Sequence, residues 1–357
     1  MFNSTYVNNR ILWILLALFV PYSIVEDHVY EYVRSVMASM LSSLPDETAL
    51  MLVEEGPRVA LVAFILLVFL VIRKNRFLLE TIRPSHENRS LSKLGIGLLL
   101  GLVTNFFCIL CAIIHGDVNV YFDFAVSQIP LLLISFIIVF FQSTSEELWY
   151  RGFLYERINV HYLLWIAIIV NSVAFGSMHN PANLTALWWA NLIMTGLSIS
   201  LLRWYTGSIW TCLGFHTMWN TTQNLIFSEP RYPFPEEAIF HLDATGAISN
   251  PVYDYACGVE GAVPCLCMDL LICIAILVLA KKHGRLGELF ESRESKGEMT
   301  VELPRSKSQR SILAGMIPAA VILISLTIAE SFGIFTAPVW IIFGLLCVMA
   351  GLGVFLK

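Results

Sequence analysis

The sequence predicts an all-α polytopic membrane protein of about ten transmembrane helices, and three observations carry that reading. Charged side chains make up 14% of the 357 residues and hydrophobic ones 57%, with a mean hydropathy of +0.71. An ordinary soluble domain has roughly 25% and 45–50%. The apolar residues fall in runs near the roughly 20 residues that a helix needs to cross a hydrocarbon core. Runs such as LISFIIVFF are apolar all round and lack the period-2 alternation of an outer-membrane barrel, so helices rather than strands cross. That much apolar surface also excludes a disordered chain, and a net charge of −5 gives no electrostatic reason to bind nucleic acid.

The runs follow in order. The first, 11–25, is short, and the N-terminus lacks the small-residue cleavage site of a signal peptide, so it reads as a retained span or anchor. The run at 59–72 is also short, whereas 94–114 and 126–143 have full spanning length. Runs at 162–178, 184–202 and 208–227 complete a central group, and 262–280, 312–329 and 338–356 close the chain. Lysine and arginine mark the cytoplasmic loops. Segment 73–93 holds six (Arg73, Lys74, Arg76, Arg83, Arg89, Lys93) and segment 281–310 holds eight, which places both inside. Loops 26–58, 116–124 and 228–261 are acidic and expected outside; 116–124 carries Asp117 and Asp123 and 228–261 carries Glu229, Glu236, Glu237, Asp243, Asp254 and Glu260. Ten spans alternate without contradiction on this assignment and put both termini in the cytoplasm.

Five of the eight cysteines (Cys108, Cys111, Cys212, Cys273, Cys347) lie in apolar runs, where Cys behaves as a small hydrophobe. Cys257, Cys265 and Cys267 lie in or beside the 228–261 loop, and both a disulfide and unpaired thiols are open for them.

Chemistry enters where ionisable residues meet membrane depth, because a charge there costs at least about 2.5–3.5 kcal/mol on insertion scales. The fourth run passes without a breaker into STSEELWYRGFLYER. Glu147 and Arg151 are i,i+4 neighbours in the favourable order for a helix ion pair, while Glu146 points about 100° away. Arg151 then neutralises Glu147, and Glu146 is left as a candidate general base in apolar surroundings. The alternative is an interfacial helix whose charges face water. Phe175 and His179 share a helix face in AFGSMH, as do His216 and Asn220 in HTMWN. Each alone fits interhelical hydrogen bonding equally well; three separate helices converging on one polar cavity supply what water activation requires. Other membrane hydrolase signatures are absent: His86-Glu87 is followed by Asn88-Arg89-Ser90 and makes no HExxH, no GxSG occurs, and Tyr253-Asp254 has no GxGD companion.

EELWYRG, AFGSMH and HTMWN resemble the EExxxR, FxxxH and HxxxN motifs of the CPBP (CAAX protease and bacteriocin-processing, or Abi) intramembrane proteases, which include the type II CAAX prenyl endopeptidases. The likeness covers about 131–227, and EEL-x-Y-R-G is closer to prokaryotic members. The resemblance implies an endopeptidase in which Glu146 activates water with help from His179, His216 and Asn220 hold water or the oxyanion, and Glu147 with Arg151 braces the site. It marks 126–227 as the catalytic core; the apolar runs and loop charges place N-terminal helices at 1–125, an extracytoplasmic loop at 228–261, and C-terminal helices at 262–357 with a cytoplasmic linker 281–310, all outside the family core. Its setting is a prokaryotic cell membrane, and its partners are the bilayer and a membrane-associated or prenylated peptide substrate. Glu146, His179 and His216 would be the ligands if Zn²⁺ is used; a metal-free glutamate mechanism needs the same residues. A non-catalytic scaffold or immunity protein and an ion-coupled transporter are the alternatives. Helical rise puts Glu146 about 16 Å and His216 about 12 Å from the cytoplasmic ends of their helices. His179, about 26 Å along its own helix, joins them only if that helix begins near Trp165 or later, or tilts. The expectation is a cavity reached from the cytoplasmic face.

Overall fold

The computed structural model describes residues 46–71, 73–177, 179, 185–229, 238–244, 249–293 and 295, together with 35, 36 and 39. The expected spans at 11–25, 312–329 and 338–356, the linker beyond 295 and Cys347 lie outside the described residues. The rest is mostly helical: α1 (Asp46–Val71), α2 (Phe77–Ile82), α3 (Ser90–His115), α4 (Ile129–Glu147), α5 (Tyr155–His161), α6 (Leu164–Ser177), α7 (Ala186–Thr206), α8 (Ile209–Thr221) and α9 (Val263–Lys282).

Among the described residues, three stretches are long and apolar enough to cross a bilayer: Ser90–His115, Val126–His161 and Val263–Lys282. Their outer faces carry large apolar side chains, such as Leu99, Leu133 and Val278, each more than half exposed. A belt of this kind needs lipid or protein to cover it. The central helices depart from the ten-span expectation. Helix α6 has 14 residues, about 21 Å at 1.5 Å per residue. Helix α7 has 21 residues but is too polar, with Asn191, Ser198, Ser200 and Arg203 buried along it. Helix α8 ends after 13 residues and passes into the π-helical segment Thr222–Ile226. A helix enclosed by other helices need not match the hydrocarbon thickness, and its polar groups find partners inside the protein.

Glycines allow the tightest crossing. A Cβ at Gly97 of α3 would lie 2.2 Å from the Thr211 carbonyl oxygen of α8, one at Gly101 2.2 Å from that of Phe215, and one at Gly214 2.3 Å from that of Leu94. Backbones approach this closely in membrane bundles where small residues face each other. The fold is not purely α. A three-stranded sheet in the order β1-β3-β2 joins β1 (Asn119–Phe122), β2 (Phe227–Ser228) and β3 (Phe240–Asp243). Strands β1 and β3 are antiparallel, with Asn119 opposite Asp243, and β2 and β3 are parallel, with Phe227 opposite Phe240. These short strands escape a search for long apolar periods because their signal is a few aromatic residues: Phe240 stacks on Phe227 at 5.3 Å and meets Phe122 at 5.6 Å.

The bundle has two chemically distinct ends. The acidic loops meet at one, where Asn250 Nδ2 donates to Asp117 Oδ1 at 2.7 Å beside the sheet. The basic segments meet at the other. There Arg285 donates to the Tyr205 carbonyl at 2.7 Å, Arg293 pairs with Glu156 at 2.7 Å, and Glu156 also holds Arg203. The seven described cysteines are free thiols, including Cys257, Cys265 and Cys267.

Candidate active site

Helix α4 does not end at the glutamate pair. It runs into a π-helical segment, Leu148–Leu154, and then into α5, so Glu146 and Glu147 sit where the helical repeat widens. Segments of this kind are rare and cluster at functional positions. A second one among the described residues, Thr222–Ile226, follows directly after the helix that carries His216 and Asn220.

Glu147 and Arg151 form the expected ion pair, with Arg151 Nη1 2.9 Å from Glu147 Oε1 and both side chains at most 1% exposed. Arg151 Nη2 also donates to the Gly196 carbonyl of α7 at 3.1 Å, and its guanidinium lies 4.5 Å from the centre of the Phe175 ring. Phe175 packs edge-on against His179 at 5.0 Å and His216 at 5.8 Å. Its part in the AFGSMH stretch is therefore a wall shared by the cation and both imidazoles.

His216 Nδ1 lies 2.8 Å from Glu147 Oε1. The carboxylate accepts, so Nδ1 carries the proton and Nε2 faces the other glutamate, 3.7 Å from Glu146 Oε2. Glu147 therefore does more than neutralise Arg151: the same oxygen fixes the tautomer of His216, a link between distant helices that i,i+4 spacing does not contain. His179 Nδ1 donates to the Phe175 carbonyl at 3.0 Å, which turns its Nε2 outward. His179 lies two residues past the end of α6, which begins at Leu164. The start at Leu164 is within one residue of the expected start near Trp165, and His179 is delivered just beyond the last turn of α6.

Glu146, His179, His216 and Asn220 line one cavity of about 280 Å³. Glu147 and Arg151 lie behind its wall. The remaining lining includes Gln142, Trp188, Asn191, Thr195, Asn224 and Glu260, none of them singled out from sequence. A signal existed for part of this set: Trp188, Asn191 and Thr195 recur at helical spacing on one face of α7. Glu260 had none, because it arrives from a loop. Gly258 has a φ of 62° and packs against the Glu229 carboxylate, which accepts from the Val259 amide at 2.8 Å and from Gln223 Nε2 at 2.9 Å. This turn carries Glu260 to the indole N–H groups of Trp188 and Trp219, at 3.4 and 3.3 Å.

The cavity occupies the half of the bundle where α6 ends, α7 begins, α8 ends and α9 begins. That is the end bearing residues 249–261, opposite the basic segments. The cavity thus lies toward the end bearing residues 249–261, away from the basic segments beside which the cytoplasmic opening was expected. Helix α4, the π segment and α5 form one continuous helical stretch to His161, with Glu146 near its middle.

Among the described residues, no group of three or more His, Cys, Asp or Glu is placed to hold a metal ion. Glu146, His179 and His216 share the cavity wall without forming such a set.

Residues 128–222 match the family model described as type II CAAX prenyl endopeptidase Rce1-like. The match is consistent with the CPBP/CAAX protease family, and it spans the helices that carry all three motifs. No curated protein matches the chain.

Proposed function

We propose that the chain is an intramembrane endopeptidase that hydrolyses a peptide bond of a membrane-associated or prenylated peptide with water activated by Glu146. The observation that carries this reading is the 3.7 Å gap between Glu146 Oε2 and His216 Nε2 inside a cavity on a matched protease segment. The gap is too long for a direct hydrogen bond, and a single water oxygen can reach both atoms across it.

In the proposed reaction the water oxygen adds to the scissile carbonyl carbon while Glu146 takes its proton. Asn220, one turn beyond His216, donates to the oxyanion. Collapse of the tetrahedral intermediate breaks the C–N bond, and the proton on Glu146 passes to the leaving amine. His179 Nε2 faces the cavity to share that proton. Arg151, Glu147 and His216 form a chain from a buried cation to the water, so the imidazole is oriented before substrate arrives. This hydrolysis uses only the chain's own groups.

The reading is tested with purified full-length protein in detergent, offered fluorogenic farnesylated and unmodified hydrophobic peptides. Wild type cleaves at least one of them, and Glu146→Ala abolishes turnover with unchanged melting. Normal turnover by a folded Glu146→Ala refutes the water-activation role. Element analysis of the same preparation addresses metal: about one Zn²⁺ per chain, with activity lost on its removal, would overturn the metal-free form of the proposal.

A further inference from the structure

Asp269 is a carboxyl group inside α9, one of the three helices apolar enough to span a bilayer, and it is 1% exposed. It lies outside the matched segment and takes no part in the proposed hydrolysis. A buried ionisable residue at such a position is costly unless hydrogen-bonding partners compensate it. Its partners are on α7. Thr195 Oγ1 donates to Asp269 Oδ2 at 2.6 Å, and Ser198 Oγ lies 2.5 Å from Oδ1. Cys265, on the same helix as Asp269, reaches Oδ2 only weakly, at 3.9 Å.

The two hydroxyls differ in their alternatives. Ser198 also has the Met194 carbonyl at 2.9 Å and the Thr195 carbonyl at 3.2 Å. Among the described residues, Thr195 has no acceptor but Asp269. If the carboxyl is ionised, it accepts from both hydroxyls. If it is protonated, it donates to Ser198, whose own proton turns to Met194, and it still accepts from Thr195. In both of these arrangements the single hydroxyl proton of Thr195 is held by Asp269 Oδ2 at 2.6 Å, leaving oxygen lone pairs as what Thr195 offers to the cavity it lines.

Resting on the endopeptidase reading above, we propose that Thr195 is a substrate-binding residue whose oxygen accepts a hydrogen bond from a backbone N–H of the bound peptide, and that Asp269 is the positioning residue that makes it an acceptor. An extended peptide presents one such donor per non-proline residue, and Thr195 stands on the α7 wall, across from the helices that supply Glu146 and His216.

The test uses the full chain, a farnesylated peptide that wild type cleaves, and a series of that peptide N-methylated at one backbone nitrogen at a time. One neutral hydrogen bond corresponds to roughly a threefold to tenfold change in binding. Wild type shows a KM raised by about that factor for one N-methylated position near the scissile bond. Thr195→Val shows the same rise with the parent peptide and no further rise with that N-methylated peptide, while Thr195→Ser restores the parent KM relative to Thr195→Val. Asp269→Ala matches Thr195→Val in KM, and the double variant is no worse than either single one. A structural tie between α7 and α9 would move melting and leave the N-methyl profile of Thr195→Val like that of wild type; that result overturns the proposal. Should Asp269→Ala fail to fold, the Thr195 pair still decides. Failure of wild type to cleave any peptide counts against the endopeptidase reading instead.

Discussion

Removing Arg151 isolates what the ion pair contributes. Its side chain is fully buried and it supplies three things: the 2.9 Å bond to Glu147, the 3.1 Å bond to the Gly196 carbonyl, and the cation over Phe175 at 4.5 Å. In Arg151→Ala, Glu147 keeps only the His216 Nδ1 bond and stays buried at 1% exposure. Breaking a buried pair from one side typically costs about 3–5 kcal/mol, because a charge is stranded. With an unfolding entropy of about 2.1 cal/mol/K per residue, a chain of 357 residues loses roughly 4–7 °C in melting temperature for that cost. The assay is thermal unfolding in detergent alongside peptide turnover. Arg151→Ala melts lower and loses activity, since Glu147 no longer holds His216 in one setting. Adding Glu147→Gln removes the stranded charge and recovers most of the melting but not the activity. Equal melting of wild type and Arg151→Ala refutes the ion-pair assignment. A double variant as unstable as the single one shows instead that lost packing around Phe175 is the cause.

Asn220→Ala lowers kcat by about 10²–10³ with unchanged melting, the signature of a lost oxyanion donor; a normal kcat removes Asn220 from the mechanism. Single cysteines at Tyr255 and Phe290, both more than 60% exposed, report the orientation in a background without native cysteine. A membrane-impermeant thiol reagent on whole cells labels Tyr255→Cys and spares Phe290→Cys if the basic end is cytoplasmic, and the cavity then faces the other side. Labelling in the reverse sense overturns the charge-based orientation and returns the cavity to the cytoplasmic face.

How far the sequence reached differs from residue to residue. Glu147 and Arg151 were legible as a pair because a helix fixes the relation between positions four apart, and Glu146 was legible as the odd one out for the same reason. That four residues from three separate elements share one cavity was suggested by their residue types and by the motif resemblance; the contact between His216 and Glu147 was not, since no local rule links positions 69 apart. Membrane character followed from composition; among the described residues three stretches combine spanning length with apolarity, while α7 buries Asn191, Ser198, Ser200 and Arg203 and so follows the demands of packing rather than those of hydrocarbon. The face on which the cavity lies escaped a calculation that treated each helix as starting at the same depth. Asp269 met the criterion of charge at membrane depth as fully as Glu146 did, and it carries meaning only beside Thr195, which another helix provides. Composition and local spacing were enough for a helical membrane protein with a brace and a candidate base. Which wall each group faces, and which proton each imidazole and hydroxyl keeps, was decided by tertiary structure, because hydrogen bonds between helices depend on distances that no periodicity encodes.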